Sequence, residues 1–369
     1  MNIKNKALLI KFETWMKELK QDDTIAILHH TDPDGVSSAV ILSKTIEKIR
    51  EKPVDIRLNQ KSDELFITNA TYLKLTHAKI NKLIILDMSV DQAKNKVLEK
   101  IQQFAEILIL DHHKVYRNVN SKKCLLIKPQ MVFFGIDPAS YCCSKFSYDL
   151  CNTIIDSTEL DWIAALGVIG DCAFDAWKDF ISTVCKKYGI PSQKNILKTK
   201  LGIITELLFF TEAYSTKKIG LCFDILSAAE SYKDVLNSKL QRYQKYVKDE
   251  IKYWQSNVSR MANFYPKHDL IFDFIKPKYP IKAAISTIMS CKYPHKTVII
   301  AQDMNQGTVH LSARRRDHKV AVNNLLERAT RGLKDASGGG HITAAGGVLK
   351  AKDLFTFKEN VLKLLCKQN

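Results

Sequence analysis

Three short apolar runs near the start of the chain each stop abruptly at acids or histidines. Thr24–Leu28 leads into His29-His30-Thr31-Asp32-Pro33-Asp34-Gly35, Leu83–Leu86 into Asp87-Met88-Ser89, and Ile107–Leu110 into Asp111-His112-His113. Continuous apolar runs of this length predict strands buried on both faces of a parallel sheet. The polar groups then stand at the carboxyl ends of the strands, where open α/β sheets place their ligands. Pro53–Leu58 and Cys124–Ile127 read as further strands. Helical periodicity predicts helices over Val36–Arg50 and Gln92–Phe104, and an amphipathic helix over residues 3–20 with Leu8, Phe12, Trp15, Met16 and Leu19 on one side. Ser37, Ser38 and Ala39 are small residues at a helix start, where backbone can approach a ligand. Strands alternating with helices predict an α/β fold on a doubly wound parallel sheet.

Ser140–Asn152 and Glu159–Ile169 predict helices, the second ending at Gly170-Asp171, a glycine stop followed by another acid. From about 178 to 262 the pattern is largely helical and Lys-rich, with one long helix predicted over Ser231–Met261. A second alternation starts near 264. Asp269–Phe274, Thr297–Ala301 and Thr308–Ala313 read as strands, and Ile281–Cys291 and Val320–Arg331 as helices. Ser337-Gly338-Gly339-Gly340-His341 and Ala344-Ala345-Gly346-Gly347 follow. The expected organisation is a domain over residues 1–190, a helical connector over 191–262 and a smaller α/β C-terminal domain over 263–369, without internal repeats.

Composition narrows the partners. The 369 residues are 46% hydrophobic, which suits a globular chain, and the formal net charge is +17. Such an excess points to an anionic partner, nucleic acid foremost; a Lys-favouring proteome is the bland alternative. Nine scattered cysteines, with no Cys-x-x-Cys, argue against a zinc ribbon and a disulfide framework. They fit reduced thiols in a cytoplasmic protein. No run approaches the ~18 apolar residues of a membrane span, and the N-terminal region has no signal-peptide pattern.

The acids and histidines suit divalent cations. Carboxylates bind Mg²⁺ and Mn²⁺, and the added imidazoles tilt the preference to Mn²⁺. Asp32, Asp34, Asp87, His112 and Asp171, with His30 as a further candidate, can supply two ions. Two ions ~3.5–4 Å apart clamp the attacking and leaving oxygens of a phosphoryl displacement. Any one of these acids alone reads as a cap or turn residue, and Asp91 and Asp137 are read so. Convergence of three strand ends sets the others apart.

In this order the motifs resemble the DHH phosphoesterase superfamily with its DHH-associated C-terminal domain, in particular RecJ-like and nanoRNase-like exonucleases. The likeness rests on His30-x-Asp32-x-Asp34-Gly35, Asp87, Asp111-His112-His113, Gly170-Asp171, Gly338-Gly339-Gly340-His341 and Ala345-Gly346-Gly347. It spans roughly residues 22–175 and 265–350. The resemblance implies two Mn²⁺ ions between the N-terminal motifs, with Asp87 as bridge and His112 as ligand. It also implies that His113 contacts the scissile phosphate or protonates the leaving oxygen, and that Asp111 orients the histidines. Pyrophosphatase and nanoRNase members carry an acid where this chain has Val36, so the first motif is closer to the RecJ branch.

In the second domain, Thr308–Arg314 alternates, with Val309, Leu311 and Ala313 on one face and His310, Ser312 and Arg314 on the other. The planar fork of Arg314 matches phosphate oxygens, and Ser312 shares its face. Arg315 and Arg316 read as a solvated basic turn. Gly338, Gly339 and Gly340 let backbone N–H groups crowd an anion. With His341 beside them, the resemblance implies a phosphate or nucleotide-end pocket that holds substrate. The expected function is Mn²⁺-dependent exonuclease action on single-stranded DNA or RNA. The alternatives are a small-substrate phosphoesterase, acting on nanoRNA, a cyclic dinucleotide or 3′-phosphoadenosine 5′-phosphate, and a replication-associated scaffold subunit. The scaffold reading is disfavoured because scaffold relatives lose motif acids that this chain keeps. A replication or repair protein is a possible partner, and the oligomeric state is left open.

Overall fold

The computed structural model describes residues 2–60, 67–93, 96–261, 263–304 and 307–366. The chain divides into two compact units, Met1–Arg242 and Tyr243–Asn369.

The first unit is built on five strands: β1 (Ile25–His30), β2 (Ile56–Gln60), β3 (Lys82–Leu86), β4 (Glu106–Leu110) and β5 (Cys124–Ile127). All pair in parallel, in the order β2-β1-β3-β4-β5. The helices are α1 (Lys6–Lys17), α2 (Pro33–Arg50), α3 (Asn69–His77), α4 (Val97–Ile101), α5 (Pro129–Val132), α6 (Cys143–Asn152), α7 (Asp161–Gly170), α8 (Lys178–Lys187), α9 (Lys200–Tyr214), α10 (Ile219–Ala228) and α11 (Tyr232–Leu236). Side chains alternate across the sheet. Ala26, Leu28, Leu83, Ile85, Ile107 and Ile109 share one core with Leu75 of α3 and Leu98 and Ile101 of α4. On the other face α2 packs over β1 and against α6 and α7. Helices therefore cover both faces, the doubly wound arrangement that uninterrupted Ile and Leu runs demand.

Two expected helices differ, and so does the role of one run of small residues. The helix over Gln92–Phe104 is a 3₁₀ turn, Val90–Gln92, and the short α4, with residues 94 and 95 outside the described ones. Asp91 explains this: its buried carboxylate accepts from Tyr116 N at 2.9 Å and pairs with Lys128 Nζ at 2.9 Å, which anchors the turn against α continuation. The long helix over Ser231–Met261 is α11 and then α12 (Gln241–Met261). Asn237 and Ser238 are weak helix formers, Ser238 Oγ caps back onto Val235 O at 2.7 Å, and Leu240 is fully buried. Ser37, Ser38 and Ala39 are buried on α2, against which α6 and α7 pack. Their small size serves helix packing rather than a ligand.

The second unit contains all but the first two residues of α12 (Gln241–Met261) and a six-stranded mixed sheet in the order β10-β11-β9-β8-β7-β6. Its strands are β6 (Asn263–Tyr265), β7 (Leu270–Ile275), β8 (Thr297–Asp303), β9 (Thr308–Arg314), β10 (Ser337–Gly340) and β11 (Ala344–Lys350). Only β7 and β8 pair in parallel. α13 (Lys282–Lys292) packs on β8 and β9, while α14 (Val322–Thr330) and α15 (Leu354–Cys366) close a core around Val309, Leu311 and Ala313. Residues 191–236 of the expected connector, with α9, α10 and α11, fall in the first unit, and α12 crosses its boundary. Among the described residues no helix is long and apolar enough to cross a membrane. None of the nine cysteines is in a disulfide, and six are buried.

Candidate metal centre

Strands β1 and β3 are neighbours although β2 separates them in sequence, so the direction of winding reverses between them. Ligands of open α/β sheets bind at this crevice. β1 ends at His30, and Asp32 follows as the N-cap of α2, accepting from Gly35 N at 2.8 Å with Pro33 in the first turn. Asp34 stands one step into that helix. Asp87 follows β3 with φ 59°, a left-handed conformation uncommon for a non-glycine residue. Asp111, His112 and His113 follow β4, and Asp171 caps the carboxyl end of α7. A Cβ at residue 35 would lie 2.6 Å from His30 O, so only glycine lets α2 start this close to β1.

Asp87 lies between two groups of donors. Its Oδ2 is 3.4 Å from His30 Nδ1, which is 2.9 Å from Asp32 Oδ2. Its Oδ1 is 3.3 Å from His112 Nε2, which is 3.2 Å from Asp171 Oδ2 and 4.0 Å from Asp34 Oδ2. His30, Asp32 and Asp87 form one potential metal triad, and Asp34, Asp87 and His112 form another. Donor atoms about 3 Å apart match adjacent vertices around an ion with ~2.1 Å bonds. The buried Nε2 of His30 has no hydrogen-bond partner, and His30 Nδ1 and Asp87 Oδ1 meet only other side chains of the cluster. Buried polar atoms in that state are costly, and divalent ions would satisfy them. The mixed carboxylate and imidazole set fits Mn²⁺, with Mg²⁺ acceptable.

Backbone groups set the histidine tautomers. His112 Nδ1 lies 2.9 Å from Pro138 O. A carbonyl only accepts, so Nδ1 carries a proton, and Nε2, which faces the acids, is the nitrogen whose lone pair becomes available to an ion once its own proton leaves. Asp111 is fully buried. It accepts from His112 N at 2.9 Å and sits 2.6 Å from His113 Nδ1. Its second oxygen lies 2.8 Å from Lys128 Nζ, which also meets Asp91 and Lys114 O. His113 Nδ1–H therefore points at Asp111, on a side chain 32% exposed.

The charges are unequal in consequence. Burial would lower the His30 pKa, but Asp32 and Asp87 outweigh it and hold it well above the ordinary value. Burial is likewise outweighed at His112, chiefly by Asp171 and Asp87. Burial, then Asp87, pushes Asp34 up to about 6. Burial lowers His29 to about 4, so it stays neutral. An ion must displace protons from both raised imidazoles, because the deprotonated ring is the ligand. Mn²⁺ affinity is therefore expected to climb as pH rises towards the raised pKa values of these two rings, with protons released on binding. Calorimetry in buffers of different ionisation enthalpy checks this; a pH-independent affinity would contradict it. The same shifts mean that the metal-free protein has its full His30 and His112 stabilisation below about pH 6.5 and loses it as pH rises through their folded pKa values.

Asp34 depends on its surroundings for position. Its oxygens accept from Cys143 N at 2.7 Å and Ser144 N at 2.9 Å, at the start of α6. A Cβ at Gly167 on α7 would collide with Ser144 Oγ and Asp34 Oδ1. Gly167→Ala is expected to displace that carboxylate and weaken Mn²⁺ binding about tenfold or more, at a stability cost of about 1–3 kcal/mol. Mn²⁺ titration beside thermal unfolding separates the two effects.

All six expected N-terminal donors are thus brought together, with Asp111 and His113 beside them. Lys128 and the ion-pairing role of Asp91 escaped the sequence reading. One signal existed: Ile127-Lys128 is a fourth apolar run ending in a charge at the same sheet edge. In the second unit the outcome is mixed. Arg314 Nε is buried without a hydrogen-bond partner. Ser312 is buried, its hydroxyl 2.8 Å from Ser286 Oγ. Arg315 is not a solvated turn residue: it is buried, with Nε 2.7 Å and Nη2 3.0 Å from the Asp317 carboxylate. Arg316 is exposed, as expected of such a turn. Gly338, Gly339 and Gly340 form edge strand β10, and a Cβ at Gly338 would lie 2.7 Å from Leu326 C of α14. Close helix packing therefore explains that glycine. His341 occupies the turn into β11, its N donating to Ala344 O at 2.7 Å.

The fold and donor set define an α/β protein with a candidate divalent-metal centre at the carboxyl edge of its parallel sheet. Its sequence matches the DHH family, N-terminal domain, over residues 24–169 and the DHHA1 domain over residues 278–367. The chain thus carries a DHH-family N-terminal domain and a DHHA1 domain. No curated protein matches it by sequence. By fold it is similar to RecJ from Thermus thermophilus in complex with Mn²⁺, with a TM-score of 0.71 and 14% identity over 98% of this chain and 55% of that one. This chain thus spans about half of that RecJ. It is also similar to the DHH domain of a member of a ribosomal-protein family, with a TM-score of 0.70 and 16% identity over 98% of this chain and 91% of the other. An exonuclease RecJ bound to manganese gives a TM-score of 0.65 and 15% identity over 97% of this chain and 94% of that one.

Proposed function

We propose that this chain is a Mn²⁺-dependent phosphodiesterase that trims single-stranded nucleic acid from an end. The observation that carries the reading is Asp87, whose two oxygens face separate donor groups. When bound, two ions supply Lewis acidity to the scissile phosphate and an acidified water as nucleophile. His30, Asp32 and Asp87 would hold one, and Asp34, Asp87, His112 and Asp171 the other. His113, its Nδ1–H held by Asp111, presents Nε2 to a phosphate oxygen or to the leaving oxygen. Asp111 keeps that ring oriented. Arg314, His341 and the outer edge of β10 supply further phosphate contacts; the buried, unpartnered Nε of Arg314 supports its part. The net charge of +17 favours a long polyanion over a small one.

The test is a time course on end-labelled single strands, one long and one of two nucleotides, with Mn²⁺ and with EDTA. Mn²⁺-dependent shortening of the long strand is expected, and the product ladder gives the polarity. Turnover of the dinucleotide alone moves the chain to the small-substrate class. Turnover of neither overturns the reading.

A further inference from the structure

The outward face of α12 carries a repeat that the metal centre does not use. Lys245-Tyr246 recurs seven residues later as Lys252-Tyr253. Seven residues are close to two turns, so the tyrosines stand in one column about 10 Å apart and the lysines in the next. Tyr246 is 56% exposed and Tyr253 61%, and both lysines are exposed. Tyr243, Val247, Ile251 and Val258 form the buried side of the same helix. The rings at 246 and 253 lie mostly outside that buried side. Tyr253 is also held in place. It meets Trp254 edge-on at 5.5 Å, and Trp254 Nε1 donates to Glu250 Oε1 at 3.1 Å, which also accepts from Lys278 N at 2.8 Å. Asp249 is the one acid among the exposed described residues from 245 to 256.

Paired columns of cations and exposed aromatic rings match one ligand chemistry. Phosphates repeat along a single strand and attract lysines, while every unpaired base offers a π-face to a tyrosine. We propose that this face of α12 is a binding track for single-stranded nucleic acid, with bases stacked on Tyr246 and Tyr253 and phosphates against Lys245 and Lys252. It rests on the nucleic-acid reading above and names a surface that holds the strand.

Fluorescence anisotropy of a labelled single-stranded oligonucleotide, in EDTA so that nothing is cut, tests the track. Tyr246→Ala and Tyr253→Ala are each expected to weaken binding about tenfold, with the salt slope unchanged. Tryptophan at both positions restores binding. The double variant Lys245→Gln, Lys252→Gln is expected to reduce the slope of log affinity on log salt by about 1.4. Alanine variants that bind as tightly as the wild type overturn the track, as does weakening that tryptophan does not restore, the behaviour of a protein-docking face. The same strand is given to the wild type with Mn²⁺. Cutting together with aromatic-independent binding overturns the track alone. Aromatic-dependent binding without cutting supports the track and overturns the exonuclease reading alone.

Discussion

An Asp87→Asn protein is expected to fold normally and to hydrolyse nothing measurable. Asparagine has the same shape and tolerates the left-handed φ of 59° at this position. The substitution therefore removes charge and little else. That charge faces both donor groups, 3.4 Å from His30 and 3.3 Å from His112. Mn²⁺ binding should weaken at both sites together, and turnover should fall by more than the ~10–100-fold that loss of an outer partner costs. Asp32→Asn is the contrast, since Asp32 belongs to one triad only. Calorimetric Mn²⁺ titration with steady-state kinetics checks the pair. Turnover retained in Asp87→Asn would remove the basis of the metal-centre account.

Lys128→Met is expected to be the most damaging substitution outside the donor set. The lysine is fully buried between Asp91 at 2.9 Å and Asp111 at 2.8 Å, and both carboxylates are themselves buried. Methionine fills the space and leaves two buried carboxylates without the cation they share. Breaking a buried pair in this way costs about 3–5 kcal/mol, roughly 10 °C in midpoint temperature for a unit of this size. Burial favours neutral Asp111, but His113 and Lys128 outweigh it and hold its pKa well below the ordinary range. Without Lys128 part of the cost is relieved by protonation, so the deficit should shrink as pH falls. Thermal unfolding at several pH values measures this. A midpoint within about a degree or two of the wild type would show the triad to be energetically idle.

Much of this was legible in the strands. Ile and Leu runs ending in acids or histidines specified the sheet, and the turn from each strand end to the next helix specified which side chains meet. Strand β5 falls at Cys124–Ile127, where the pattern put it, because both its ends change character in one residue. What stayed hidden is what pattern cannot carry. The 3₁₀ turn at Val90–Gln92 depends on Tyr116 and Lys128, which lie 25 and 37 residues from Asp91 in sequence. The Gly338–Gly340 run becomes a strand because β11 pairs with it and α14 lies against it, although glycine alone gives no strand signal. Arg315 looked like its solvated neighbours until the fold set Asp317, Thr297 and Asp269 around its guanidinium. The Pro138 carbonyl that fixes the His112 tautomer lies 26 residues from it, and nothing local announces it.

The most direct test of the central claim is anomalous scattering from crystals of the wild type grown with Mn²⁺. Two peaks are expected on either side of Asp87, each within about 2 Å of one of its oxygens. One should be shared with His30 and Asp32, the other with Asp34, His112 and Asp171. A single peak, or peaks that leave Asp87 out of contact, would contradict the dinuclear centre on which the phosphodiesterase reading stands.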